Sequence, residues 1–111
     1  MPVYVDPAIY PMGRMMMCHL WGDTEAELFA MVDKIGVSRR WIQGHRLLSL
    51  RKFRRASWVH FDISKGKRSL AVAAGAVETD RYGPSMHVAK LKGDTEMIER
   101  IERLRARKAA A

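Results

Sequence analysis

The sequence predicts an α/β protein: a small single domain over residues 1–111, in which a mixed sheet of about four strands carries about three helices, mainly on one face. Three observations lead there. Short apolar runs bounded by Pro or Gly read as strands, stretches with apolar residues at helical spacing follow Thr or Ser caps, and the two kinds of segment alternate along the chain. The 111 residues suffice for one core and are too few for two.

Pro2 to Asp6 is a β-branched and aromatic run ended by Pro7, a short first strand. After the turn-like Tyr10-Pro11-Met12-Gly13, residues Arg14 to Trp21 form a second extended run. Met15, Met17, His19 and Trp21 lie on one face of it and Met16, Cys18 and Leu20 on the other. Both faces are mostly apolar, which suits a central strand. Thr24-Glu25-Ala26-Glu27 then matches a capping box, Leu28, Met31, Val32 and Ile35 follow at helical spacing, and Gly36 offers a left-handed stop. Ser57 to Ile63 alternates as a strand, with Trp58, His60 and Asp62 on one face and Val59, Phe61 and Ile63 on the other. Ser64 can cap a helix through Ala74 that Gly75 closes. Ala76 to Glu78 reads as a short strand, Tyr82-Gly83-Pro84 as a turn and Met86 to Leu91 as a further strand. An amphipathic helix over about 95–108 carries Met97, Ile98, Ile101 and Leu104 on its apolar stripe, and the tail from Arg105 is expected to fray. Leu-x-Gly-Asp-Thr-Glu occurs at Leu20–Glu25 and again at Leu91–Glu96, each time expected to join a strand to a helix. The apolar positions downstream are out of phase, so the same capping chemistry used twice explains it better than duplication.

Charge is distributed unevenly. Between Asp33 and Asp62 lie eight basic residues and no acidic one, while the other twelve Lys/Arg are balanced by twelve Asp/Glu, so the net charge of +8 sits in this segment. Its cations are Lys34, Arg39, Arg40, Arg46, Arg51, Lys52, Arg54 and Arg55, interleaved with Trp41, Phe53, Trp58 and Phe61. Such an excess repels itself unless a polyanion answers it, and aromatic faces among the charges can stack bases. Nucleic acid is the expected partner, with Arg39, Arg40, Trp41, Arg46, Arg51, Lys52, Arg54, Arg55 and Trp58 as the binding residues; a solvated basic face is the alternative. The lone Cys18 rules out an intrachain disulfide and suits a reducing compartment. No apolar run is long enough to span a membrane, and the first residues lack the order of a signal peptide, so a cytoplasmic protein with no membrane partner is expected. Eight Met residues, three of them consecutive, fit gap-filling packing better than copper binding.

Groups able to do chemistry gather at strand ends. Asp6 closes the first strand, His19 and Asp23 flank the end of the second, and His60-x-Asp62 projects two polar groups from one face of the third. Asp6, His19, Asp23, His60 and Asp62 are therefore candidate ligands for a divalent metal ion, with His60, Asp62 and Lys67 as candidate catalytic residues. A buried histidine held by a neighbouring carboxylate is the structural alternative. Lys65, Lys67 and Arg68 crowd the first turn of the following helix, where cations are disfavoured, and so form a candidate anion site; a solvent-facing cluster is the alternative. Gly66-Lys67 is no Walker loop, since Phe61 occupies the first glycine position and Arg68 that of the Ser/Thr. Neither a Ser-His-Asp order nor a reactive-cysteine context nor a zinc-finger spacing is present, which argues against covalent catalysis and structural zinc.

Val3-Tyr4-Val5-Asp6, Gly13-Arg14-Met15, Cys18-His19-Leu20, Asp23-Thr24-x-x-Glu27-Leu28, Ile35-Gly36, Trp41-x-Gln43, His60-Phe61-Asp62-Ile63 and Lys67-Arg68-x-x-Ala71-x-x-x-Gly75-Ala76 occur in this order. In these motifs the chain resembles the bacterial and phage domain-of-unknown-function family numbered 4031, over residues 3–78. The family pattern has tyrosine where Phe61 stands and a shorter connection between Gln43 and His60, so the basic stretch near 45–55 looks like an insertion. The resemblance implies no activity, but it does imply that the motif residues form one unit. Two functions are expected from the residues: a nucleic-acid-binding module of low sequence specificity, or a metal-dependent phosphodiesterase, nuclease or nucleotide hydrolase.

Overall fold

Three strands come from the first 22 residues: β1 (Val3–Val5), β2 (Tyr10–Met12) and β3 (Met15–Gly22). In the computed structural model, which describes residues 2–110, they are joined by β4 (Phe61–Ser64) and β5 (Val77–Glu78) in one mixed sheet. β3 is its centre. Along one edge it pairs antiparallel with β2, through Met15–Met17, and with β1, through Leu20–Gly22. Met17 and Leu20 also face Ser64 and Phe61, so β4 occupies the opposite edge, antiparallel. β5 adds to β1 in parallel. Tyr10-Pro11-Met12, expected as a turn, is an edge strand, because the two-residue Gly13-Arg14 turn folds it back on Met15–Met17; Pro11 is tolerated where no further strand pairs.

The alternation expected for β3 holds. Cys18 and Leu20 are buried with Val3, Val5, Phe61 and Ile63, and against this face pack Leu28, Met31, Val32 and Ile35 of α1 (Glu25–Ile35) and Ala71 of α2 (Lys65–Ala73). Each large apolar side chain fully buried here contributes ~1.5–3 kcal/mol of transfer free energy. Thr24 caps α1, its hydroxyl accepting from the Glu27 amide, and Gly36 ends the helix at φ +77°. In that left-handed conformation the Val37 amide donates back to Val32. Ser64 caps α2 in the same way, accepting from the Lys67 amide.

Between α1 and β4 the chain makes single 3-10 turns at Arg39–Trp41 and Arg51–Phe53. The strand expected over Ser57–Ile63 is shorter and later. Only Phe61–Ser64 is continuous, and His60 is tied to Gln43 by an isolated bridge. Gly44 allows the chain to pass here: at φ +76°, a Cβ on it would fall 2.1 Å from the Trp58 carbonyl oxygen.

Two compact units divide at Asp80/Arg81. The second consists of α3 (Gly83–Lys92) packed on α4 (Thr95–Ala110), with Met86, Ala89 and Ile101 buried. Met86–Leu91 is thus helical and not the strand expected from its apolar content. Pro84 in the first turn and a left-handed Gly93 after the last are the start and stop that outweigh it. The second Leu-x-Gly-Asp-Thr-Glu copy therefore leaves a helix, and its cap is Asp94, which accepts from the Met97 amide, not the threonine. α4 continues to Ala110 where fraying was expected from Arg105. No described helix is long and apolar enough to cross a membrane.

Candidate functional site

The face of the sheet turned away from α1 and α2 carries the even-numbered residues of β1 and β4 and the odd-numbered residues of β3. Strand register brings three polar residues of this face side by side. His19 stands opposite Asp62 across the β3/β4 pair, and the Asp6 amide donates to the His19 carbonyl where β1 ends. His60, two residues before Asp62, projects from the same face, and its backbone exchanges two hydrogen bonds with Gln43, 2.8 and 3.1 Å long.

Each imidazole is oriented by a partner on its Nδ1. His19 Nδ1 lies 2.7 Å from Asp6 Oδ2, and the other Asp6 oxygen accepts from the His19 amide at 2.6 Å. Asp6 is fully buried. His60 Nδ1 lies 3.1 Å from the Trp58 carbonyl oxygen. Carboxylate and carbonyl oxygens only accept, so both Nδ1 atoms carry protons, and in the neutral rings both Nε2 atoms are lone-pair donors. These face Asp62 Oδ1, at 3.9 Å from His19 and 3.4 Å from His60. Gln43 Nε2 donates to the other Asp62 oxygen at 2.6 Å, which turns Oδ1 toward the histidines.

Two lone pairs and a carboxylate oxygen within 4.8 Å of one another repel unless a positive charge lies among them. A proton on either Nε2 meets that need, and so does a divalent cation. Bound at ~2.0–2.2 Å, three such ligands stand roughly 3.0–3.6 Å apart, so the widest pair, at up to 4.8 Å, would close by roughly 1.2–1.8 Å. Acidity follows the same contacts. Burial opposes a charged His19, but its hydrogen bond to Asp6 and the charges of Asp6 and Asp62 outweigh it and raise its pKa. Burial likewise opposes ionised Asp62, yet a hydrogen bond from His60 when its Nε2 is protonated, one from Gln43 and the charge the imidazoles then carry hold its pKa low.

Aromatic rings wall the cluster. Trp58 stacks on His60 at 4.2 Å with 16° between planes, and Tyr10 meets His19 edge-on at 4.6 Å. A cavity of about 110 Å³ opens beside His19 and Asp62, lined further by Tyr10, Pro11, Met12 and Met17.

Other expected site residues lie elsewhere. Asp23 accepts from the Tyr4 hydroxyl at 3.3 Å in the turn before α1, apart from the cluster. Lys67, expected as catalytic and anion-binding, points the other way: its ammonium donates to the Ile35 carbonyl and so satisfies the C-terminal end of α1, a pole that attracts cations. Arg68 spans from α2 to the Asp6 carbonyl at 2.8 Å and to Glu78 at 3.0 Å, which ties β1 and β5 to the helix. With two of its three cations committed to the fold, the Lys65/Lys67/Arg68 anion site is not assembled, and Lys65 is left alone and exposed. Gln43 and Tyr10 had no role assigned from sequence; only the Trp41-x-Gln43 motif marked the glutamine.

The basic segment divides in the same manner. Arg39 pairs with Asp33 at 2.6 Å and lies over Phe29, and Arg40 stacks on Trp41. Arg54 donates to the Ser49 carbonyl and Lys52 lies over Phe53, whose ring meets exposed Trp41 edge-on. Among the described residues none of Arg46, Arg51, Lys52, Arg54 and Arg55 has an acidic partner, and all five are exposed. Both ends of the loop rest on the cluster's outer contacts: Gly44 follows Gln43, and Trp58 supplies the carbonyl on His60.

The model of the family described as "Protein of unknown function (DUF4031)" matches residues 3–91, so the chain belongs to that family. The match runs past Glu78 into α3 and contains Asp6, His19, Gln43, His60 and Asp62. No curated protein and no solved structure matches the chain.

Proposed function

We propose that this chain is a divalent-metal-dependent phosphodiesterase acting on nucleic acid, with His19, His60 and Asp62 as the metal ligands and the 39–58 segment gripping the substrate backbone. One observation carries the reading: both histidines spend their Nδ1 protons on Asp6 and on the Trp58 carbonyl, so that two Nε2 atoms and Asp62 Oδ1 converge. Metal-binding histidines are oriented in this way by carboxylates and carbonyls behind them. Two imidazoles among three donors favour Mn²⁺, Fe²⁺ or Zn²⁺ over Mg²⁺ and Ca²⁺, which prefer oxygen. Such an ion, when bound, polarises a phosphoryl oxygen and supplies a nucleophilic water at neutral pH.

The chain's own groups do the rest. Asp6 fixes the His19 tautomer, and Gln43 occupies one Asp62 oxygen and leaves the other for the ion. The cavity beside His19 and Asp62 leaves room for substrate on the open side. Two histidines and one carboxylate also serve oxygen-activating iron centres; the unpaired cations of the adjoining loop favour phosphate. A binding module without turnover is the second reading, favoured by those same cations.

Nuclease assays on labelled single- and double-stranded DNA and RNA, with Mn²⁺, Zn²⁺ or chelator, separate the two. Metal-dependent cleavage lost in His60→Ala and Asp62→Asn, with polyanion binding retained, is expected. Binding without cleavage under any metal would leave only the module.

A further inference from the structure

The loop between Gly44 and Trp58 presents an exposed apolar pair. Leu47 is 80 % exposed and Leu48 55 %, in a stretch otherwise rich in Arg and Lys. This exposure is built in. His45 Nδ1 accepts from the amides of both Leu47 and Leu48, at 3.1 and 3.0 Å, so its Nε2 bears the proton and faces Glu25 of α1 at 3.2 Å. Buried Ser49 accepts from the His45 amide and donates to the Ile42 carbonyl, and Arg54 fastens the Ser49 carbonyl from the far side. The backbone under the two leucines is thereby held, and their side chains are directed outward by a framework whose other members are polar and satisfied.

We propose that Leu47 and Leu48 form a wedge that enters a base step of duplex nucleic acid and unstacks it, an inference that rests on the nucleic-acid reading above and names a duplex as its substrate. Apolar side chains on proteins that bend or open duplexes act in this manner, between base pairs, while cations nearby hold the flanking phosphates. Arg46, Arg51, Lys52 and Arg55 of the same loop are exposed and, among the described residues, lack acidic partners. Charge complementarity therefore selects an anionic occupant. An anionic membrane is the weaker candidate, because two leucine side chains carry fewer carbons than one myristoyl chain, which alone anchors a protein only marginally. One base step needs no more apolar surface than this pair offers. Unstacking fits the loop's position as well, since it runs from the residue after Gln43, which holds Asp62, to Trp58, whose carbonyl holds His60.

The test uses the full chain in chelator, so that it does not depend on catalysis, with DNA and RNA duplexes carrying 2-aminopurine. Parent protein is expected to raise 2-aminopurine fluorescence severalfold on at least one duplex. Leu47→Ser/Leu48→Ser, an exposed change that leaves the fold intact, should abolish the rise while anisotropy still reports binding. Arg51→Ser/Lys52→Ser should weaken binding itself. Equal brightening by parent and leucine variant, binding without brightening, or no binding to either duplex overturns the wedge. So does leucine-dependent binding to phosphatidylserine vesicles with both duplexes left stacked. If Mn²⁺-dependent cleavage fails while the leucine-dependent rise persists, the phosphodiesterase reading falls and the wedge stands.

Discussion

Replacing Asp6 by Asn changes one atom's chemistry in a fully buried place and should disable His19 as a ligand. The retained oxygen is needed by the His19 amide, an obligate donor now bound at 2.6 Å, so the new NH₂ group faces Nδ1. Nδ1 must then accept, its proton moves to Nε2, and an N–H points at the place where the ion would bind. Loss of an outer carboxylate of this kind costs 10–100-fold in metal affinity, or about 1.4–2.7 kcal/mol. A charge-assisted bond is also replaced by a neutral one, which removes about 1–2 kcal/mol from the metal-free fold. In a domain of this size that lowers Tm by roughly 4–10 °C. With the ion at about a hundred times the parent's Kd, the parent gains about 2.7 kcal/mol and the variant only about 0.4–1.4 kcal/mol. Differential scanning calorimetry with and without Mn²⁺ or Zn²⁺ reads both quantities. An equal metal-induced rise in Tm for parent and variant would refute the role given to Asp6, and no rise in the parent would refute the site.

Gly44→Ala should destabilise the fold by roughly 2–4 kcal/mol in urea titration, because the new methyl carbon falls 2.1 Å from the Trp58 carbonyl oxygen at φ +76°. Stability should depend on pH differently without and with metal. In the metal-free protein the raised His19 pKa gives stability that is complete below its unfolded value, near 6.5, and is lost as pH rises through the folded one. The lowered Asp62 pKa gives stability present above the unfolded value, near 3.8, and lost as pH falls through the folded one. With metal bound, stability should instead rise with pH up to about 6.5, the unfolded value, and level off above it, because the ion keeps the imidazole neutral in the fold; parallel slopes in thermal melts would count against metal ligation. Nucleic-acid affinity should fall by ~0.7–0.9 log units per log unit of salt for each phosphate neutralised. Filter binding should show that slope flattened by Arg46, Arg51, Lys52 and Arg55 changed together to Ser, and an unchanged slope would place the contacts elsewhere.

Local chemistry was the legible part of this fold. Thr24, Ser64 and Gly36 mark helix ends through bonds within a few residues, and the alternation of Cys18 and Leu20 with His19 and Trp21 assigns their faces without knowledge of the neighbours. Met86–Leu91 misled because six residues fit either period, and Pro84 and Gly93 decided for a helix. The candidate site was legible as a set of residues and not as roles. Asp6, His19 and Asp62 become neighbours only through the pairing of β1 and β4 with β3, and a one-residue slip of either strand would turn one of them to the other face. That Asp6 stands behind His19, and that Gln43 holds Asp62, depend on contacts across 13 and 19 residues. Lys67 shows the same limit: its target, the Ile35 carbonyl, is 32 residues away, and no local pattern distinguishes a lysine that caps another helix from one awaiting an anion.

We propose that His19, His60 and Asp62 together hold one divalent cation. Anomalous diffraction from crystals soaked in Mn²⁺ or Zn²⁺, collected on both sides of the metal's absorption edge, tests it most directly. One peak is expected at ~2.0–2.2 Å from His19 Nε2, His60 Nε2 and Asp62 Oδ1, with Asp6 and the Trp58 carbonyl still on the two Nδ1 atoms. A cluster without a peak, closed on itself by a proton between His60 and Asp62, would contradict it.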